Sequence, residues 1–149
     1  MSRGFFAIGI EHSKTEKNVG MLWRTASLYD AAFVFTIGHR YQRSKSDTTH
    51  VSRHRPLFHF EDIDDLYTHL PHGVELVGVE LDERAHQLGS YVHPESAVYL
   101  LGAEDHGLSG EAMRACDHFL QVPYPSAYSM NVAVAGSIVM YDRFIGRNK

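Results

Sequence analysis

Short apolar runs alternate along the chain with stretches in which apolar residues recur at helical spacing. The runs have the length of buried strands, and most of the helical stretches begin after a residue that can cap a helix. This alternation predicts an α/β fold in which a mostly parallel sheet carries helices on both faces. The predicted strands are residues 5–10, 32–37, 57–60, 74–81, 98–101 and 119–122.

Four helices are predicted between or after these strands. Asn18 is expected to cap the first helix, and Ser109 is expected to cap a short helix over residues 109–116. Another short helix spans residues 62–70, and the last helix spans residues 131–145. The last helix is apolar almost all round, so more than one of its sides must be covered. It is either a central core helix or part of a homodimer interface.

The stretch from residue 40 to residue 55 has no periodicity and is predicted to be a long loop. It is strongly basic, although the chain as a whole has a net charge of −4. Charge alone favours neither a solvated loop nor a patch that contacts phosphates. The basic residues of this stretch are Arg40, Arg43, Lys45, Arg53 and Arg55.

Length and composition are those of an ordinary globular protein. The 149 residues are enough for one domain with a hydrophobic core. No apolar run approaches the roughly 18 residues of a membrane span, so no membrane association is expected. The single cysteine, Cys116, cannot form an internal disulfide, which fits a reducing cytoplasm.

Two loops near the carboxyl end carry the candidate chemistry. Residues 102–109 and 123–131 each follow an apolar strand, contain small and polar residues, and open a helix. Because helix N-termini leave backbone N–H donors unpaired, two such loops side by side can bind a small polar ligand through the main chain. The chain has no dinucleotide-binding glycine fingerprint, P-loop or serine-hydrolase elbow. His106, beside two acids, is a weak candidate ligand, and no metal is expected.

Three segments together carry a family resemblance: residues 18–24 (NVGMLWR), 100–109 (LLGAEDHGLS) and 129–135 (SMNVAVA). In this order they closely resemble the three motifs of the SpoU/TrmH family of SPOUT RNA methyltransferases, over nearly the whole chain. The resemblance implies a single domain without the extra N-terminal RNA-binding domain of many relatives. It also implies a C-terminal deep trefoil knot that binds S-adenosylmethionine, and a homodimer formed through the first and last helices.

The resemblance also assigns the site residues. It implies that S-adenosylmethionine contacts the chain at Val79, Glu80, Gly102, Val122, Ser129, Met130 and Asn131. It implies catalytic and supporting roles for Asn18, Arg24, Glu104, Ser129 and Asn131. RNA would be bound by Arg24 and by the basic residues of the 40–55 stretch.

Arg24 has two possible roles in this scheme. It either acts as the base or binds the target phosphate and stabilises negative charge on the attacking oxygen. The second role fits better, because a guanidinium resists deprotonation. Asn18 would orient Arg24 or cap its helix, and Glu104 would hold Arg24 by a charge-assisted hydrogen bond.

Plainer alternatives exist for several of these residues. Arg24 would otherwise be a solvated surface arginine, Met130 a core residue and Asn131 a simple helix cap. Tyr128, just before Ser129, either stacks on the target base or packs against the partner subunit.

The implied activity is methyl transfer from S-adenosylmethionine to a ribose 2′-hydroxyl of tRNA or rRNA. Transfer to tRNA is the first choice, because small relatives without an appended RNA domain often act on tRNA. One alternative is a non-catalytic RNA-binding or assembly protein with the same fold. Another is a methyltransferase that acts on a ring nitrogen of a base.

Overall fold

The computed structural model describes residues 4–42 and 55–148, which form seven strands and four helices. The strands are β1 (Phe6–Glu11), β2 (Phe33–Ile37), β3 (Leu57–Phe60), β4 (Glu75–Val79), β5 (His86–Gln87), β6 (Ala97–Leu101) and β7 (His118–Gln121). The helices are α1 (Glu16–Leu28), α2 (Ile63–Thr68), α3 (Gly110–Ala115) and α4 (Val132–Arg147).

The strands form one sheet in the order β3-β2-β1-β6-β4-β7-β5, and all neighbours pair in parallel. The neighbouring strands β1 and β6 are buried along their whole length, with Ile8 opposite Tyr99. Strands that are covered on both faces need apolar residues at every position, which explains the continuous apolar runs in the sequence. Because the sheet is parallel, the carboxyl ends of its strands lie at one edge.

Helices cover both faces of the sheet, as the sequence predicts. On one face, Leu22 of α1 and Met140 of α4 pack in a core cluster with Ile8. On the other face, Leu66 of α2 packs with Phe35 in a second cluster that also includes α3. None of the helices in the described parts of the chain is long and apolar enough to cross a membrane.

The close approach of α4 to its neighbours depends on Gly136. A Cβ atom at this position would lie 2.5 Å from Cδ1 of Leu22 and 2.9 Å from Cδ1 of Leu101. Both leucines are buried, so neither side chain has open space to move into. The Oγ of Ser137 also donates to Oγ1 of Thr25 on α1, at 3.3 Å.

A buried polar cluster ties the carboxyl half of α4 to β6 and to the segment before it. His93 is 6% exposed, and its ring nitrogens lie 2.6 Å from the hydroxyl of Tyr99 and 2.8 Å from the carboxylate of Asp142. The guanidinium of Arg143 donates to the same hydroxyl at 3.2 Å and to the carbonyl of Pro94 at 2.6 Å. Burial lowers the pKa of His93, although Asp142 acts in the opposite direction.

Two details differ from the sequence-based prediction. The predicted cap of α1 is wrong, because Thr15 caps this helix and its Oγ1 accepts the backbone N–H of Asn18 at 3.4 Å. Asn18 therefore lies inside the first turn, where it is 7% exposed. The edge strand β5 was also missed, because its two residues are too few to produce a periodic pattern.

Candidate active site

A cavity of about 350 Å³ opens at the carboxyl edge of the sheet, where β4, β6 and β7 end and α4 begins. Its wall combines apolar strand ends with polar turn residues, among them Glu104. The structure brings together six of the seven residues predicted to contact the cofactor. These are Val79, Glu80, Gly102, Val122, Ser129 and Met130.

One wall of the cavity is a tight turn after β6. Ala103 and Gly107 exchange backbone hydrogen bonds of 3.2 and 3.0 Å across this turn. Gly107 has a φ of +67°, a conformation that residues with a Cβ rarely adopt. A Cβ on Gly102 would lie 2.2 Å from the carbonyl carbon of Gly107, so a side chain there requires the turn to move. Both glycines are therefore required by the backbone.

The side chain of Glu80 fixes the far end of the same turn. One of its carboxylate oxygens accepts the backbone N–H of Leu108 at 2.8 Å, and the other accepts that of Leu81 at 2.9 Å. The sequence predicted only a main-chain contact at Glu80 and missed this contribution. The position of an acid at a strand end beside the glycine-containing turn is the signal that would have revealed it.

Glu104 is the centre of a hydrogen-bond network that joins this turn to the loop after β1. Its carboxylate accepts the side-chain amide of Asn18 at 2.8 Å, and both the Ser13 hydroxyl and the Lys14 backbone N–H at 3.2 Å. Partial burial opposes ionisation of Glu104, but these hydrogen bonds outweigh it and lower its pKa. Next to it, a hydrogen bond from the Lys14 ammonium lowers the pKa of Asp105.

Asn131 extends this network to the start of α4. Its side-chain oxygen accepts the backbone N–H groups of Ala133 and Val134 at 2.9 and 3.2 Å, so Asn131 is the N-cap of α4. Its side-chain nitrogen donates to the Oδ1 of Asn18 at 3.1 Å. The plain cap interpretation is therefore confirmed, and Asn131 also joins the hydrogen-bond network, although it is not among the residues that line the cavity.

Arg24 lies apart from this network within one chain. It is exposed and does not line the cavity, whereas Asn18 on the same helix is buried. Six positions of an α-helix correspond to a rotation that leaves these two side chains roughly 120° apart around the axis. Within one chain, Glu104 is therefore held by Asn18, and not paired with Arg24 as the sequence suggested.

The two ends of the basic stretch are attached to α1. At the first end, Glu16 accepts the backbone N–H of Gln42 and lies 2.8 Å from Nε2 of His39. At the second end, the indole N–H of Trp23 donates to the carbonyl of Arg55 at 2.9 Å, and Arg55 pairs with Asp30. Of the other basic residues of the stretch, Arg40 is exposed, and Arg43, Lys45 and Arg53 lie outside the described residues.

The remaining candidate groups for chemistry are few. Within residues 4–42 and 55–148 there is no group of three or more His, Cys, Asp or Glu side chains arranged to hold a metal ion. His106 is exposed, and its Nε2 lies 3.2 Å from the carboxylate of Asp105. Burial raises the pKa of the Cys116 thiol to about 12, so this thiol stays protonated near neutral pH.

Sequence comparison places the chain among known RNA-modifying proteins. The sequence profile of the SpoU rRNA methylase family matches residues 6–141. A stretch of 70 residues is 33% identical to the 23S rRNA (guanosine-2'-O-)-methyltransferase RlmB of Acinetobacter baylyi, covering 46% of this chain and 28% of that protein. The chain spans 28% and 65% of the lengths of the two curated relatives that it matches.

Solved structures agree with the fold. The SpoU methyltransferase AviRb from Streptomyces viridochromogenes, in complex with the cofactor AdoMet, matches with a TM-score of 0.84 at 21% identity, over all of this chain (100%) and 60% of its own. A protein solved for the 2-OH methylation of C/U34 on tRNA matches with a TM-score of 0.82 at 19% identity, over 98% of both chains.

Proposed function

The chain belongs to the SpoU rRNA methylase family, and from this premise we propose that it transfers a methyl group from S-adenosylmethionine to a ribose 2′-hydroxyl of RNA. The observation that carries the proposal is the cavity at the carboxyl edge of the sheet, which gathers residues from three strand ends and the start of α4. Its chemistry suits a ligand that is apolar in one part and charged in another. The proposed site of action is the cytoplasm.

The cavity fits S-adenosylmethionine in size and in charge. Its volume of about 350 Å³ lies in the range of small-ligand pockets. Val79, Leu101 and Val122 provide an apolar wall for the adenine, and Glu80 and Glu104 complement the positive sulfonium and amino groups. When bound, S-adenosylmethionine supplies an electrophilic methyl group. We include in this proposal the C-terminal trefoil knot of the SPOUT fold as the frame of the pocket.

The catalytic residues of the proposal are Asn18, Arg24, Glu104, Ser129 and Asn131. Glu104, Asn18 and Asn131 keep the turn after β6, α1 and α4 in register through their hydrogen bonds. Ser129 lines the cavity and offers a hydroxyl to the cofactor or the ribose. Arg24 binds the target phosphate and stabilises negative charge on the attacking oxygen, because a guanidinium is a poor base.

A homodimer would bring Arg24 to a cavity. Exposed apolar side chains flank Arg24 on α1, where Met21 is 44% and Leu28 is 79% exposed. They continue on the adjacent α4, where Tyr141 is 55% and Phe144 is 52% exposed. Surfaces of this kind mark interaction sites. In the proposed dimer, α1 and α4 form the interface, and Arg24 of one subunit faces the cavity of its partner.

The proposed substrate is tRNA, with rRNA as the second candidate. The support is the basic stretch, whose ends are attached to the helix that carries Arg24, and the full-length match to a protein of tRNA 2-OH methylation. Lys and Arg side chains in such a stretch neutralise backbone phosphates.

The test combines cofactor binding with product analysis. Isothermal titration with S-adenosylhomocysteine should show binding to the wild-type protein and to a Gly146→Ala control. A Gly102→Ala variant should bind weakly, because its Cβ collides with Gly107. RNA from cells lacking the protein is then incubated with the purified protein and labelled S-adenosylmethionine. The RNA is digested and analysed by mass spectrometry. A 2′-O-methyl nucleoside supports the proposal. A ring-methylated base would favour a methyltransferase that acts on a ring nitrogen. A lack of cofactor binding would favour a non-catalytic RNA-binding or assembly protein.

A further inference from the structure

We propose that Tyr128 stacks on the base of the nucleotide whose ribose is methylated, and that the substrate is therefore an unpaired nucleotide. This inference rests on the proposed function and adds the means by which the target nucleotide is held. Its basis is the place of Tyr128 in the chain, its exposure and the nature of its neighbours.

Tyr128 adjoins the lining of the cavity in the chain. The two residues that follow it, Ser129 and Met130, both line the cavity, as does Tyr124 before it. In the proposed complex, a ribose that binds beside Ser129 lies close to the preceding residue, Tyr128. Its base is then within reach of an aromatic ring at this position.

Tyr128 is the most exposed of the Phe, Tyr and Trp residues in the described part of the chain. Its side chain is 85% exposed, and the next most exposed aromatic in the described residues, Tyr67 on α2, is 57% exposed. The flanking residues, Ala127 and Ser129, are too small to cover the ring. An exposed aromatic at the mouth of an RNA site is the usual platform for an unstacked base.

The backbone that carries Tyr128 is locally constrained. Pro123 and Pro125 fix two φ angles shortly before it. The backbone N–H of Tyr128 donates to Oγ of Ser126 at 3.1 Å, which closes a small turn. Because these restraints leave the backbone fewer conformations, stacking on the ring costs less conformational entropy.

The surroundings of Tyr128 suit a nucleobase better than a partner subunit. The core of a protein interface surrounds an aromatic anchor with other apolar side chains. Tyr128 instead lies beside a hydroxyl residue on each side of its turn, Ser126 and Ser129, both exposed. An exposed aromatic ring flanked by small residues suits a flat ligand with a polar edge, such as a base.

The test compares Tyr128→Ala, Tyr128→Leu and Tyr128→Phe with a Tyr67→Ala control on α2, a helix that does not line the cavity. Transfer of labelled methyl from S-adenosylmethionine to RNA from cells lacking the protein is measured over a range of RNA concentrations. The Ala and Leu variants should raise the KM for RNA about tenfold or more, because stacking is lost. The Phe variant and the control should behave as wild type. Affinity for S-adenosylhomocysteine should not change.

Each other outcome has a definite meaning. Wild-type kinetics for Tyr128→Ala, or for Tyr128→Leu, would overturn the stacking role while leaving the proposed function intact. A shift of Tyr128→Ala to a smaller species in sedimentation velocity would also overturn it, in favour of a subunit contact. No transfer by the wild-type protein to any RNA would overturn the proposed function together with this inference.

Discussion

The side-chain amide of Asn18 donates a 2.8 Å hydrogen bond to the carboxylate of Glu104, across 86 positions of the chain. Because Glu104 accepts, the other end of the Asn18 amide must present its oxygen, and Asn131 donates to it at 3.1 Å. The oxygen of Asn131 in turn accepts the N–H groups at the start of α4. Each amide uses both of its ends, so the direction of every bond in this relay is determined.

This direction makes Asn18→Asp a sharp test of the relay. The substitution keeps the shape of the side chain but places a second carboxylate against Glu104. We expect the free energy of unfolding to fall by roughly 1–2 kcal/mol, because a buried donor becomes a repelling acceptor. Affinity for S-adenosylhomocysteine should fall as well. Urea unfolding and isothermal titration measure the two effects.

The double variant Asn18→Asp, Glu104→Gln is the matched control. It exchanges donor and acceptor, so the amide at position 104 can donate to the carboxylate at position 18. Most of the lost stability should return, and Glu104→Gln alone should be worse than the pair. Additive losses in the double-mutant cycle would show that the two side chains are not coupled.

Two glycines of α4 should respond to alanine in opposite ways. Gly136→Ala should destabilise the protein by about 1–3 kcal/mol, because its Cβ collides with buried leucines at 2.5 and 2.9 Å. Gly146→Ala should stabilise it by about 0.5–1 kcal/mol, because its Cβ comes no closer than 4.0 Å to His93 and alanine favours helix. Thermal unfolding of both variants measures the two changes in stability. Equal Tm values would contradict the packing of α4 against α1.

Stability should depend on pH through His93. Its folded pKa is lowered from 6.5, so the unfolded chain takes up the proton first as the pH falls. The stabilising contribution is complete above pH 6.5 and is lost as the pH falls through the folded pKa, at up to about 1.4 kcal/mol per pH unit. His93→Gln should remove this part of the pH dependence.

The cluster around His93 contains further charged groups, and the comparison must allow for them. Asp142, Arg143 and Arg147 act on the His93 ring and remain in the variant. We would therefore measure the free energy of unfolding in urea for wild type and His93→Gln, from about pH 7.5 to about pH 5. The difference between the two curves is the contribution of His93. Parallel curves would refute the prediction.

Charge reversal in the basic stretch should separate RNA binding from cofactor binding. The triple variant Arg40→Glu, Arg43→Glu, Arg53→Glu should lose RNA affinity and show a shallower salt dependence, because phosphate contacts are lost. Its affinity for S-adenosylhomocysteine should stay at the wild-type value, since the described residues that line the cavity come from other segments of the chain. Filter binding at several salt concentrations measures the first effect.

A control with the same change in net charge guards against a general electrostatic effect. Arg114→Glu, Arg147→Glu and Lys149→Glu alter charges elsewhere on the chain. If this control weakens RNA binding as much as the first triple variant, the basic stretch has no special role.

The proposed dimer predicts that charges on α1 and α4 separate the subunits. Leu28→Glu with Tyr141→Glu places carboxylates in the apolar surface, which should shift the protein from dimer to monomer in sedimentation velocity. Methyl transfer should fall with it, because Arg24 then faces no cavity. Tyr67→Glu on α2 should change neither. A monomeric wild-type protein would contradict the proposed interface.

Sequence reasoning succeeded where the pattern is local and failed where a partner comes from far along the chain. The caps Ser109 and Asn131 and the main strands were predicted, because capping and apolar runs depend on neighbouring residues. The hydrogen bond from Asn18 to Glu104 was not predicted, because packing decides the rotation of α1, and the pairing of Glu104 with Arg24 stays a prediction. The sequence could not show that Thr15, and not Asn18, caps α1, because both residue types are good caps.

The basic stretch is attached to α1 at both ends, through Glu16 and Trp23. This attachment affects how the protein can evolve. Residues between two fixed points can lengthen, shorten or alter in charge at little energetic cost. The described residues that line the cavity come from other parts of the chain. Under the proposed function, replacement of the segment between Gln42 and Arg55 would change the RNA target and leave the cavity residues as they are.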